Sequence, residues 1–127
     1  MDRHVKFVNF AAGVASTSNH PRWQVGAIIV RSGNIISAAP NSPRNAPWLM
    51  LGLPGASWHA EDTALRKLTR QADRAEGAVL YVARINRSSD LRLARPCPVC
   101  YSRIIAAGVR TIVYSTNGPG YGIERTR

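Results

Sequence analysis

An α/β sandwich is the fold class this sequence predicts. Three observations predict it: an amphipathic segment near the N-terminus, short β-branched runs of strand length, and helical segments lying between those runs. Val5, Val8, Ala11, Ala12 and Ala15 recur at helical spacing, so 2–18 reads as the first helix, ended by Ser16 to Pro21. Val25 to Val30 is a buried-strand run. Ser32-Gly33-Asn34 is a turn, and Ile35 to Ala39 is the returning strand of a hairpin. Residues 40–57 hold four prolines and two glycines and read as a loop; a loop of that length in a compact domain is more often functional than idle. A second helix is expected from near Trp58 to about Arg74, with Ala64, Leu65 and Leu68 inward. Ala78 to Ile85 is a strand, and Asn86 to Arg95 a polar, basic loop or extended hairpin tip. Pro98 suits the first turn of a helix capped by Gly108, with Ile104, Ile105 and Val109 facing the core. Thr111 to Tyr114 is the last clear strand, followed by a Gly-rich, charged tail.

At 127 residues the chain suits one domain, 1–127, around one core. No apolar run reaches the roughly 18 residues of a membrane span, and no membrane partner is expected. Asp2, Arg3, His4 and Lys6 make the first residues unlike a signal peptide, so the expected location is cytoplasmic. Two cysteines three positions apart do not form a disulfide framework; metal binding or redox chemistry suits them better. The net charge is +10, and 15 of 17 basic residues are Arg. Such charge favours polyanionic partners. It equally well solvates the surface, because the charges are scattered and no dense basic run stands out.

The chemistry concentrates in two motifs, His59-Ala60-Glu61 and Pro96-Cys97-Pro98-Val99-Cys100. One His and two thiolates can hold zinc with a fourth position open for water, whose pKa the metal lowers. Cys97 and Cys100 fall at i and i+3 in a first helical turn, where the helix N-terminus favours thiolate. Glu61 is the candidate proton carrier: it can take a proton from water and deliver protons to a ring nitrogen and a departing amine. On an ideal helix His59 and Glu61 lie about 200° apart, so they share a target only near the helix's N-terminal end. Two other readings stay open. Cys97-Pro98-Val99-Cys100 could be a redox pair opening a helix after a strand, which leaves His59 and Glu61 unexplained. A purely structural zinc site would need a fourth ligand, for which only His4 and His20 remain among the His and Cys residues.

The order and spacing of the two motifs match the signature of zinc-dependent nucleobase deaminases. With Val25-Gly26-Ala27-Ile28-Ile29-Val30, Asn41-Ser42-Pro43-Arg44 and Ile104-Ile105-Ala106-Ala107-Gly108-Val109, the chain resembles the cytidine deaminase-like superfamily over most of 22–115. It is nearer the deoxycytidylate and tRNA-adenosine deaminase branch, on the His of the first motif and the Asn after the second strand. The resemblance implies a three-layer α/β/α sandwich with a central mixed sheet of four to five strands. Four strands are clear in the sequence, and a fifth would come from 116–127. It also implies Zn²⁺ on His59, Cys97 and Cys100, Glu61 as proton shuttle, the backbone of Ala60 against the base, and Asn41 at the sugar or base edge. Asn41 could instead be a turn residue after Pro40. A homo-oligomer is expected, since similar enzymes pair subunits that complete each other's sites. One departure is the segment between the motifs: 34 residues separate Glu61 from Pro96, more than a simple strand-to-motif link needs.

The expected activity is conversion of cytosine to uracil on a (deoxy)cytidine nucleotide such as dCMP. Arg44 is the candidate for the phosphate, or else a solvated loop residue. The alternative is a deaminase of cytosine or adenine in single-stranded DNA or RNA, which the net charge, Trp48, Trp58, Arg87, Arg92 and Arg95 would suit. Trp58 either walls the pocket and stacks on a base or anchors the helix start. A third reading, a binding module that kept the zinc fold, leaves Glu61 without a purpose.

Overall fold

The computed structural model of the chain describes residues 2–20, 23–42, 59–68 and 75–126. Helix α1 spans Arg3–Ala15, capped by the Asp2 side chain, which accepts from the His4 amide at 2.8 Å. It stops three residues short of the expected end. The Ser16 and Thr17 hydroxyls turn back to donate to the carbonyls of Gly13 and Val14, both at 2.6 Å. Strands β1 (Gln24–Arg31) and β2 (Asn34–Pro40) form the expected hairpin. Ser32 and Gly33 both take positive φ, the backbone that a two-residue hairpin loop requires.

Helix α2 covers Ala60–Arg66 and ends well before the expected Arg74; residues 69–74 lie outside the described residues. Strand β3 is Val79–Ile85, β4 is Leu91–Arg92, helix α3 is Pro98–Ala106, and β5 is Thr111–Thr116. The tail forms a full strand, β6, Gly118–Arg125. Among the described residues the sheet therefore has six strands, one more than the resemblance implied, in the order β2-β1-β3-β5-β6 with β4 beside β3. The extra strand is β4, which pairs with Arg84 and Ile85 where β5, paired to Val79–Val82, has left off. Among the described residues only β3 and β5 run parallel, joined through α3 as a crossover requires.

Both faces of the sheet are covered, and side-chain alternation sorts the core into two halves. Ile28, Val30, Tyr81, Ala83 and Val113 pack beneath Phe7, Val8 and Ala11 of α1. Ala27, Ile29, Leu80, Val82 and Ile112 pack beneath Ala60, Ala64 and Leu68 on the α2 side and Ile104 of α3. Leu65 joins this half, but the expectation for Ile105 fails: it is 43% exposed, because Ile104 and Val109 already fill the inward face of α3. Gly108, at φ +87, supplies the left-handed turn that ends the helix.

Helix α1 crosses β1 with no room for a side chain at Gly26. A Cβ there would overlap the carbonyl oxygen of Ala11 and the amide nitrogen of Ala15. Main-chain atoms cannot rotate aside, so Gly26→Ala is expected to cost at least the ~1–3 kcal/mol of an overpacked core. A chemical-denaturation midpoint equal to that of the parent would contradict this close approach. No helix among the described residues is long and apolar enough to cross a membrane.

Candidate metal centre and active site

The two chemical motifs meet at the N-termini of α2 and α3. His59 is the N-cap of α2, with extended φ/ψ of −77° and 146°. Because it stands outside the helix, the 200° separation expected for helical i and i+2 positions does not apply, and Glu61 in the first turn reaches the same cavity. Cys97 is likewise the N-cap of α3 and not, as the spacing suggested, a residue of its first turn. Its sulfur accepts from the Cys100 amide at 3.5 Å, and Pro98 fixes the turn between them.

His59 Nδ1 lies 3.0 Å from Cys100 Sγ and 3.5 Å from Cys97 Sγ. All three donor atoms fall within 4.8 Å of one another. Tetrahedral zinc holds imidazole nitrogen and thiolate sulfur roughly 3.6 Å apart, so this donor set fits the ion with small adjustments. Cys100 is buried, while Cys97 and His59 are half-buried and face the cavity, the side on which an open coordination position is needed.

The electrostatics suit a metal site. The Cys97 thiol is held down to about 3, first by the hydrogen bond from the Cys100 thiol, then by His59, against the opposing effect of burial. Cys100 is pushed up, as the donor to Cys97 and through burial. His59 is raised mainly by its bond to Cys97, with burial opposing. One negative charge is thus shared by two sulfurs, with protons that a metal must displace. Glu61 is 5% exposed, and burial pushes its carboxyl above the usual range. A carboxyl so raised exchanges protons more readily near neutral pH than a solvated one.

The neighbouring Asp62 does structural work. It is 2% exposed and takes Arg66 Nε at 2.8 Å and Arg103 Nη1 at 3.4 Å, tying α2 to α3. Both guanidiniums are partly solvated and would rehydrate if abandoned, so the loss is smaller than for a fully buried pair. Asp62→Ala is expected to destabilise the fold by about 1–3 kcal/mol. It is also expected to weaken zinc binding, because the tie sets the spacing of the two ligand-bearing helix ends. Thermal unfolding and a zinc titration read the two effects; unchanged zinc affinity would make the tie purely structural.

A cavity of ≈ 220 Å³ opens beside these groups. His59, Ala60, Glu61 and Cys97 line it, and Asn41 forms part of the wall. Asn41 is firmly held: Oδ1 accepts from the Val25 amide at 3.0 Å and the Ser18 hydroxyl at 2.6 Å, and Nδ2 donates to the Trp23 carbonyl at 2.7 Å. Asn41 is thus a fastener of local backbone that also lines the cavity. Arg44, Trp48 and Trp58 lie outside the described residues.

Trp23, Arg84 and Leu93 also line the cavity, and sequence reasoning passed over them. Arg84 carried a legible signal as the one charge in the run Ala78 to Ile85. It shares its face with Leu80 and Val82, which point to the α2 and α3 side, and it emerges at the strand's C-terminal end beyond the packed core. The long segment after β3 also gains a purpose. The buried Ser115 hydroxyl accepts from the Arg84 amide at 3.0 Å and donates to the Arg92 carbonyl at 2.6 Å. The Ser115 carbonyl takes the Ala94 amide, and Asn117 takes that of Leu93. These bonds lay 93–95 along the cavity and bring Arg95 to its wall on the way to Cys97.

Residues 1–116 match the family model described as the cytidine and deoxycytidylate deaminase zinc-binding region. The riboflavin biosynthesis protein RibD of Aquifex aeolicus (strain VF5) is 29% identical over 119 residues, covering 85% of this chain and 27% of that protein. The chain therefore spans about a quarter of the length of that relative. The crystal structure of dCMP deaminase from the cyanophage S-TIM5 in complex with dCMP and dUMP is similar with a TM-score of 0.66 and 27% identity, over 90% of this chain and 82% of that one. Cytidine deaminase from Burkholderia pseudomallei shares the fold with a TM-score of 0.71 at 20% identity, over 99% of this chain and 94% of that one.

Proposed function

This chain belongs to the cytidine and deoxycytidylate deaminase zinc-binding family, and on that footing we propose that residues 1–127 act as one zinc-dependent deaminase domain converting the cytosine of a (deoxy)cytidine nucleotide such as dCMP to uracil and ammonia. The observation that carries this reading is the meeting of His59, Cys97 and Cys100 with a buried Glu61 on one cavity. Bound zinc would be held by those three side chains and would supply a hydroxide nucleophile near neutral pH. Glu61 accepts the proton that water gives up and passes it to N3 of the ring. It then carries the second water proton to the leaving amine. Water's oxygen ends on C4, and the C4–N4 bond breaks to release ammonia. The Ala60 backbone at the start of α2 and the side chain of Asn41 bound the space for the base and sugar. Arg44 and Trp58 remain proposals for the phosphate and for the base-stacking wall.

The likeness to a dCMP deaminase that holds dCMP and dUMP supports a monophosphate as substrate. The RibD likeness favours a second reading, deamination of a substrate in riboflavin biosynthesis. The discriminating experiment offers zinc-loaded protein cytidine, deoxycytidine, their monophosphates, and single-stranded DNA and RNA oligomers, with deamination followed by mass. Turnover of a monophosphate with inert oligomers is expected. Turnover of oligomers alone would replace the substrate assignment with a nucleic-acid one, and inertness to every cytosine substrate would favour the second reading. Association into a homo-oligomer is part of the proposal and is checked by light scattering.

A further inference from the structure

Resting on the nucleotide reading above, we propose that Arg84 and Arg95 form a two-guanidinium clamp for the substrate's 5′-phosphate and so set a preference for monophosphate over nucleoside. Both side chains line the cavity that holds His59, Glu61 and Cys97. The cavity is polarised along its depth. Its inner end carries Glu61, 5% exposed, whereas Arg95 is 63% exposed at the solvent side. A nucleotide has the same polarity, an uncharged base at one end and a dianion at the other. With the base at Glu61, the phosphate comes to lie toward the arginines.

Each arginine is held by a partner that leaves donors over. The Arg84 guanidinium sits over the Trp23 ring, 4.5 Å from its centroid. A cation held over a ring in this way keeps its N–H donors available to an anion in the cavity that Arg84 lines. Its backbone is fixed by the Ser115 hydroxyl. Arg95 is anchored by an ion pair from Nε to Glu124 of β6 at 2.6 Å. That pair uses one edge of the planar fork, and the Nη edge is the part that matches two phosphate oxygens. Two oriented forks lose less side-chain freedom on binding an anion than two solvated arginines would.

The same phosphate chemistry occurs at a free monophosphate and within a strand, and the monophosphate is favoured because the basic pair sits at the rim of a small cavity. Zinc-loaded wild type, R84Q, R95Q and R95K are compared for kcat/KM on dCMP and on deoxycytidine. Their affinities for dUMP and deoxyuridine are read by calorimetry. The preference for dCMP over deoxycytidine is expected to fall about 10- to 100-fold in R84Q and R95Q, the range for losing a charge-assisted hydrogen bond. R95K, which keeps the charge and loses the fork, should fall between. The dUMP-to-deoxyuridine affinity ratio should fall in parallel. Zinc content and melting temperature identify any misfolded variant, and the remaining ones then decide. Equal losses on dCMP and deoxycytidine would overturn the clamp and leave the nucleotide reading standing. A wild type inert towards both monomers, or active only on oligomers, overturns the reading and the clamp together.

Discussion

Replacing Glu61 by Ala is expected to leave zinc bound and to cut turnover by about 10²–10⁴-fold. The residue stands one helical position beyond Ala60 and two beyond the proposed ligand His59, yet it supplies none of the three donor atoms that cluster. Its loss therefore removes proton transfer without removing a ligand. Burial suits the carboxylate to the first step, since it raises the cost of holding the charge and so strengthens Glu61 as acceptor of the proton that water gives up. Glu61→Gln is the sharper variant because it keeps the shape and hydrogen-bonding capacity but cannot shuttle a proton. Metal analysis beside steady-state kinetics is the check. Substantial residual activity with full zinc content would falsify the assignment of Glu61 as the proton carrier.

The second large effect is expected from Cys97→Ser. Outer-sphere partners of metal ligands are worth 10–100-fold in affinity, so loss of a ligand should exceed about 100-fold. A 100-fold loss removes about 2.7 kcal/mol of metal-linked stability at a fixed zinc concentration above both dissociation constants. The melting temperature of the zinc-loaded protein should drop, while the zinc-free proteins differ much less. Zinc affinity of the parent is also expected to weaken as pH falls. Protons shared among His59, Cys97 and Cys100 must leave before these groups can ligate, and acid restores them. Zinc titrations across pH measure this directly; an affinity indifferent to pH, or a Cys97→Ser variant with normal stoichiometry and stability, contradicts the ligand set.

The metal motifs were legible because their chemistry depends on residue type and short spacing. Cys97-Pro98-Val99-Cys100 brings two sulfurs to one point whatever the rest of the fold does. The β1–β2 hairpin, β3 and β5 were legible for a similar reason: apolar runs of strand length bounded by turn residues carry their own signal. The exposure of Ile105 was not, since Ile104, Ile105 and Val109 fit an inward stripe equally well until the sheet beneath has room for two of them.

By itself, then, the sequence determined the α/β class, the order of the principal elements, and the three donor residues that the fold brings together, with Glu61 beside them as the proposed carboxylate. Tertiary structure alone decided which side chains surround that chemistry. Gly118-Pro119-Gly120-Tyr121-Gly122 reads in the sequence only as part of a Gly-rich tail that could supply a further strand, and it is a strand because β5 offers an edge to pair with. The Tyr114 ring occupies the space where a Cβ at Gly122 would stand, so the glycine serves packing and not a turn. That pairing places Glu124 beside Arg95, and the Ser115 bonds carry 93–95 to the cavity. These contacts join residues far apart in the chain. Local propensity reports only on near neighbours, whereas a pocket wall is set by which strands the whole sheet brings side by side.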